Sequence, residues 1–138
     1  MQNPVALPCF NDNYIWLLPG DQGCWVVDPG DAAPVLDWLR QHEQTLAGIL
    51  LTHHHADHTG GVAEIQAWVH QTHPTCPVAV YGPEAEAIPA VNHPLAGGEV
   101  IPLWSGVNAH VLSVAGHTRG HLAYLVSEDD GCCPPALF

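Results

Sequence analysis

Six consecutive residues, from His53 to His58, restrict more than any other feature what this 138-residue chain can fold into. They contain four histidines and one aspartate, and neutral imidazole together with carboxylate is a ligand set that suits zinc and its neighbours. The apolar residues 48–51 precede them and predict a short buried strand, whereas residues 61–70 have the apolar spacing of one helix face. The sequence therefore predicts a metal site on a strand-to-helix loop, where a rigid scaffold presents reactive groups.

The order of residues within this loop predicts which side chains share a metal. In an extended loop His53 and His55 point the same way while His54 points the opposite way, so that the first pair can chelate one ion. Asp57 and His58 follow after the chain turns and can face a second ion. A surface histidine run or an unintended tag is the alternative, but tags are simple repeats at termini, whereas this run is internal and interrupted by aspartate.

A second histidine segment, Ala-Gly-His-Thr-Arg-Gly-His at residues 115–121, follows a strand predicted to end at residue 114. The His-x-His-x-Asp-His spacing and this later Gly-His-Thr turn resemble the signature of the metallo-β-lactamase superfamily. The resemblance implies a first metal held by three imidazoles and a second held partly by a carboxylate and an imidazole: His53, His55 and His117, and Asp57 and His58, respectively.

Segments outside the histidine motifs narrow the resemblance to one family. Residues 8–16 (Pro-Cys-Phe-Asn-Asp-Asn-Tyr-Ile-Trp), 26–31 (Val-Val-Asp-Pro-Gly-Asp) and 80–83 (Val-Tyr-Gly-Pro) match glyoxalase II, the hydroxyacylglutathione hydrolases, in order. The resemblance covers essentially the whole chain. It implies an α/β fold, the four-layer αββα sandwich, of which residues 1–138 form the N-terminal half. The C-terminal half and the glutathione-binding region are then expected to be absent.

The resemblance also implies an activity. Two divalent ions, zinc or alternatively iron or manganese, activate a water that attacks a thioester, and Asp57 both ligates metal and accepts the proton of that water. The implied substrates are S-(2-hydroxyacyl)glutathione thioesters, such as S-D-lactoylglutathione, which yields D-lactate and glutathione in methylglyoxal detoxification. The alternatives are another hydrolase of the superfamily, a persulfide dioxygenase with a single iron, or an inactive metal-binding fragment. The last is considered because the chain lacks the Gly-Asp-Thr segment whose aspartate bridges the two metals in the family.

Two further residues have two interpretations each. The resemblance implies that Asp28, at a Pro-Gly turn, hydrogen-bonds the metal-binding loop, and an ordinary turn-initiating aspartate is the alternative. His121 is either a hydrogen-bonding partner of a metal ligand or a structural residue at the start of the strand predicted for residues 122–126.

Composition limits the partners. The formal net charge is −12, and Arg40 and Arg119 are the only basic residues apart from histidine, which argues against nucleic acid and anionic membranes as partners. These two arginines are also the only candidates for holding an anionic glutathione thioester. The five cysteines lack metal-finger spacing and are predicted to be reduced, mostly buried thiols. Without a basic and apolar leader at the N-terminus, the chain is expected in the cytoplasm. Sequence alone assigns no oligomeric state.

Alternating short strands and helices are predicted along the chain. The predicted strands span residues 14–18, 24–27, 48–51, 78–81, 110–114 and 122–126, and the predicted helices span residues 34–42 and 61–70. Residues 127–131 are predicted to form a hairpin turn, with a last strand from about residue 135. The segment 83–98 is predicted to be irregular because it contains several prolines and glycines.

Overall fold

Two β-sheets face each other, and helices cover the outer face of the first sheet. The computed structural model describes residues 2–138. The first sheet has the strand order β1 (Val5–Cys9), β2 (Asn13–Leu18), β3 (Cys24–Val27), β4 (Leu46–Leu50), β5 (Val80–Pro83) and β6 (His93–Leu95). The helices are α1 (Ala32–Gln41), α2 (Ala56–Thr59) and α3 (Val62–Thr72). The second sheet has the order β10 (Ala136–Leu137), β9 (Leu122–Glu128), β8 (Val107–Ser113) and β7 (Val100–Trp104).

The direction of the strands in the first sheet determines where the functional residues lie. Strands β1, β2 and β3 pair antiparallel, whereas β3, β4, β5 and β6 pair parallel. The helices α1 and α3 lie in the connections between parallel strands, as parallel pairing requires. The carboxyl ends of β3, β4 and β5 therefore share one edge of the sheet, which is where ligands bind in open α/β sheets.

The core has two parts because the central strands are buried on both faces. Successive strand residues point to opposite faces, so Val26 packs with Val35 and Ile65 of the helices, whereas Val27 packs towards the second sheet. Tyr124 of β9 is fully buried in this second cluster, and its hydroxyl donates to the carbonyl of Leu51 at 2.6 Å. This arrangement gives three layers, helix, sheet and sheet, of the αββα sandwich.

No helix follows α3 within residues 2–138, and the outer face of the second sheet carries exposed apolar residues such as Leu112. No helix among the described residues is long and apolar enough to cross a membrane.

The predicted strands and helices are confirmed, with ends that differ by a few residues. Three strands were not predicted, and they share one feature. Strands β1, β6 and β7 each contain a proline, and each is an edge strand of its sheet. Proline has no N–H to donate, so in a sequence it argues against a strand, although edge strands tolerate it. Edge strands that contain proline are therefore missed when strands are predicted from apolar alternation. The prediction that segment 83–98 is irregular was wrong for this reason over His93–Leu95.

The prediction that the cysteines are mostly buried was wrong. All five are free thiols, but only Cys9 and Cys24 are buried. These two lie on strands, whereas Cys76, Cys132 and Cys133 lie in loops that leave their side chains partly or fully exposed. Burial raises the pKa of the Cys24 thiol to about 12.

Candidate metal centre

The two histidine motifs meet where the two sheets come together. Asp28 directly follows β3, the segment His53–His58 follows β4, and His117 lies in the loop between β8 and β9. The N–H of Leu122, at the start of β9, donates to the carbonyl of Thr52 at 2.9 Å. This main-chain bond joins the second sheet to the loop that carries the first motif.

Three imidazoles converge on one point. One ring nitrogen from each of His53, His55 and His117 lies within 4.8 Å of the other two. The Nδ1 atom of His55 and the Nε2 atom of His117 are 3.1 Å apart. His53 is buried, His55 is half-buried and His117 is exposed, so the group opens from the protein interior to solvent. Three imidazoles in such a cluster leave a fourth position of a tetrahedral ion open to water or substrate.

The buried His53 shows whether this group fits a metal. The hydroxyl of Thr52 donates its single hydrogen to Asp28 Oδ2 at 2.7 Å, so it accepts from His53 Nδ1 at 2.7 Å. The Nε2 atom of His53 therefore carries a lone pair, and it is buried with no hydrogen-bond partner. Burial, followed by the neighbouring His58, lowers the pKa of His53 to about 4. A neutral, unpaired nitrogen on a ring that contacts two other imidazoles fits a divalent cation.

Asp28 orients a second histidine as well. Its carboxylate accepts from Thr52 N at 2.8 Å and from Thr52 Oγ1, and its Oδ2 atom lies 2.9 Å from His58 Nδ1. The hydrogen bond from His58 to Asp28 raises the pKa of His58. In the neutral ring, the hydrogen on Nδ1 that is donated to Asp28 leaves a lone pair on Nε2 of His58, which lies 3.6 Å from Asp57 Oδ2. Atoms of Asp28, His53 and His58 that could bind a metal also lie within 4.8 Å of one another. The Asp28 oxygens, however, already accept three hydrogen bonds, which makes Asp28 a partner of the histidines rather than a metal ligand.

Asn13, which begins β2, hydrogen-bonds the carboxylate of Asp57. The Nδ2 atom of Asn13 donates to Asp57 Oδ2 at 2.7 Å, and this hydrogen bond is the main reason that the pKa of Asp57 lies below its usual value.

The turn after β3 also packs tightly here, because a Cβ atom at Gly30 would overlap the main-chain carbonyl of Asp57. Glycine at this position lets α2 approach the carboxyl end of β3.

His54 points away from the cluster, as the alternation of an extended loop predicts. Its side chain is exposed, and its Nδ1 atom lies 3.0 Å from Oε2 of Glu86.

With this geometry established, comparison with known proteins places the chain. Residues 10–133 match the metallo-β-lactamase superfamily. The chain belongs to this superfamily. It is 48% identical to the hydroxyacylglutathione hydrolase of Shewanella loihica over 142 residues, which cover 100% of this chain and 52% of that protein. It is 51% identical to the hydroxyacylglutathione hydrolase of Shewanella oneidensis over 141 residues, covering 97% of this chain and 51% of that protein. The chain thus spans about half the length of these relatives.

Solved structures of the superfamily share the fold. The metallo-β-lactamase GOB-18 from Elizabethkingia meningoseptica superimposes with a TM-score of 0.72 at 16% identity, over 91% of this chain and 54% of that one. The BLEG-1 B3 metallo-β-lactamase gives a TM-score of 0.72 at 23% identity, over 93% of this chain and 68% of that one.

A cleft of about 290 Å³ opens beside the cluster. The residues that line it include His53, His58 and His121 together with Tyr14 and Trp16. The ring of His121 stacks on that of His53 with centroids 4.7 Å apart, and burial is the main cause that lowers the pKa of His121. The contacts of His121 with the cluster are thus ring contacts.

The two arginines lie in different places. Arg40 pairs with Asp37 at 3.7 Å and lies over the ring of Trp68, on the helical layer rather than at the histidine cluster. Arg119 is exposed in the loop that carries His117.

Sequence reasoning missed three residues that hold the site together. Thr52 directly precedes the first motif, and its position at the end of the apolar run 48–51 was the available signal. Asn13 belongs to the Asp-Asn-Tyr segment that was used only to identify the family. Glu86 lies in the segment predicted to be irregular, where no pattern marks it.

Proposed function

We propose that this chain supplies the metal-binding part of an enzyme that hydrolyses S-(2-hydroxyacyl)glutathione thioesters, such as S-D-lactoylglutathione. The observation that carries the proposal is the buried and unpaired Nε2 atom of His53, whose ring centroid lies 4.8 Å from that of His55 and 5.0 Å from that of His117. The substrate class is supported by the names of the relatives that share about half of their length with this chain. The products would be D-lactate and glutathione, which corresponds to methylglyoxal detoxification.

The donor atoms suggest how two divalent ions would be held. His53, His55 and His117 would hold the first ion, and Asp57 and His58 would contribute to the second. A set rich in imidazole suits zinc, with iron and manganese as alternatives. When bound, such ions lower the pKa of a water molecule to about 7 and polarise a carbonyl.

The residues of the chain have separate tasks in this proposal. Asp28, through Thr52, fixes the hydrogen on Nδ1 of His53 and leaves Nε2 free to bind. Asp57, kept ionised by Asn13, is the carboxylate that accepts the proton of the attacking water.

Composition supports a small-molecule substrate in the cytoplasm. The formal net charge of −12 disfavours nucleic acid and anionic membranes as partners. Five free thiols suit a reducing compartment.

Metal analysis and a hydrolysis assay together test the proposal. We expect the 138-residue chain to bind one zinc ion tightly and to hydrolyse S-D-lactoylglutathione slowly or not at all. The reason is that Asp57 and His58 give the second ion only two protein donors, so that the two-metal clamp is not assembled. A fusion of the chain to the remaining part of the Shewanella loihica hydrolase should gain activity, and His55→Ala in the fusion should lose it.

The outcomes separate the two parts of the reasoning. A chain that binds no divalent ion, or a zinc-loaded fusion without thioesterase activity, would contradict the proposed function. Two tightly bound ions in the 138-residue chain, with turnover like that of the Shewanella loihica protein, would contradict the ligand count alone. That full-length relative is the positive control for the assay.

A further inference from the structure

Glu86 is an almost completely buried carboxylate in the turn after β5, outside both histidine motifs. Its side chain is only 5% exposed. The hydroxyl of Thr118 donates to its Oε1 atom at 2.7 Å, and the main-chain N–H of His54 reaches the same oxygen at 3.3 Å. Its Oε2 atom lies 3.0 Å from Nδ1 of His54. Both carboxylate oxygens are therefore occupied by groups from two distant segments.

These two segments carry the three converging imidazoles. His54 lies between His53 and His55, and Thr118 directly follows His117. Glu86 thus connects the histidine loop of the first sheet to the histidine loop of the second sheet through one side chain. Burial by itself would raise the pKa of Glu86, but the hydrogen bonds from Thr118 and His54 hold it below its usual value.

The loop that carries His117 needs such an anchor. From residue 112 to residue 117 the chain is exposed, so few packing contacts restrain it. Gly120 brings this loop close to Glu86, because a Cβ atom there would lie 2.7 Å from Glu86 Cγ and 3.0 Å from Ala85 Cβ. The loop approaches Glu86 so closely that the contact leaves no room for a side chain at residue 120.

We propose that Glu86 is a positioning residue that holds His117 at binding distance from His53 and His55, and so pre-forms the three-histidine site. This inference rests on the metal site of the proposed function. Without Glu86 the exposed loop would have to be ordered at the moment of metal binding, and that cost would appear as lost affinity. Removal of partners that orient metal ligands typically lowers metal affinity by about 10–100-fold.

Zinc affinity, measured by competition with a chelator on folded protein, tests the inference. We expect Glu86→Ala to weaken zinc binding by about 10–100-fold. Glu86→Gln should lower zinc affinity less than Glu86→Ala does, because the amide oxygen of glutamine still accepts the hydrogen bond from Thr118. Glu84→Ala is the matched control, because it removes the same charge from an exposed residue two positions before Glu86. The cobalt-substituted proteins provide a second readout, because a displaced His117 changes the visible spectrum of tetrahedral Co²⁺.

A second pair of variants keeps the test decisive if Glu86→Ala does not fold. Thr118→Val removes the hydroxyl at nearly constant shape, and Thr118→Ser restores it. We expect weaker zinc binding in the first and recovery in the second. Zinc affinity and cobalt spectra equal to wild type in Glu86→Ala, or in Thr118→Val, would overturn the inference.

Failure of the proposed metal site would look different. In that case the wild-type chain would bind no zinc, or His55→Ala would bind it as tightly as wild type does. Zinc binding that is lost in His55→Ala and unchanged in Glu86→Ala would leave the metal site standing and refute only the role of Glu86.

Discussion

Replacing Asp28 by asparagine tests how one buried carboxylate controls the free nitrogen atoms of two histidines. The side chain of Asp28 is 9% exposed and accepts from Thr52 N, from Thr52 Oγ1 and from His58 Nδ1. Asparagine has the same shape and tolerates the positive φ of 52° at this position. Its amide oxygen can keep the bond to Thr52 N, but its NH₂ group cannot accept from the other two donors. The substitution therefore removes the groups that fix the hydrogens of His53 and His58.

The size of the effect follows from those two hydrogen bonds. A hydrogen bond to a charged group contributes about 1.5–3 kcal/mol, and water reaches this buried carboxylate poorly. We expect the loss of both bonds in Asp28→Asn to lower the free energy of unfolding by about 3–6 kcal/mol. We also expect zinc affinity to fall by about 10–100-fold, which corresponds to about 1.4–2.8 kcal/mol.

Urea denaturation of the metal-free protein and chelator competition on the folded fraction measure the two effects separately. Asp31→Asn is the control, because Asp31 caps α1 by accepting from Ala33 N, and asparagine caps a helix equally well. It removes one negative charge close to Asp28 without removing that hydrogen bond. If Asp28→Asn lowers stability but binds zinc as tightly as wild type, Asp28 only shapes the turn and the argument about the imidazole hydrogens is wrong.

Two further substitutions probe the cluster and the packing beneath it. His55→Ala should lower zinc affinity by more than about 100-fold, the upper end expected for a residue that only orients a metal ligand. His54→Ala should lower zinc affinity little, because the main-chain N–H of residue 54 remains. Equal losses of affinity in zinc titrations would contradict the alternation of the loop. Tyr124→Phe should lower the free energy of unfolding by about 1–3 kcal/mol, because it leaves a buried carbonyl unpaired. Tyr14→Phe, on an exposed side chain, should leave it unchanged in urea denaturation, and similar values for both would refute the role of the buried hydroxyl.

The elements that the sequence predicts well are those whose own residues carry the signal. Strand β3 and strand β4 are short apolar runs, and α1 and α3 bury regularly spaced residues, so local pattern and tertiary environment agree. The proline-containing edge strands depend instead on a neighbour that supplies their hydrogen bonds. For β6 that neighbour is β5, which is separated from it by the irregular residues 84–92, and the three residues of β6 are too few to show a pattern of their own.

The same distinction applies to the site. The residues from His53 to His58 form one contiguous motif, and their chemistry is visible without a structure. Glu86 and Asn13 are ordinary polar residues until folding brings them to His54 and Asp57. A residue that orients a ligand needs only a hydrogen-bonding group at the right point in space, and many sequence positions can supply that group. Such residues therefore leave little trace in spacing or composition.

The way the two sheets are joined explains why the cluster depends on more than its own histidines. Two of its imidazoles follow β4, whereas His117 comes from the second sheet, so the separation of the sheets sets the distance between donor atoms. Several hydrogen bonds join the two sheets, and three of them lie progressively nearer to His117 along the chain: Tyr124 to Leu51, Leu122 to Thr52, and Thr118 to Glu86. The first is fully buried and the last lies at the edge of an exposed loop. Because a metal ion accepts only a narrow range of ligand distances, rigidity close to His117 matters more for binding than rigidity deep in the core. The outermost of the three bonds, made by Glu86, is thus the one whose loss should affect metal affinity most and global stability least.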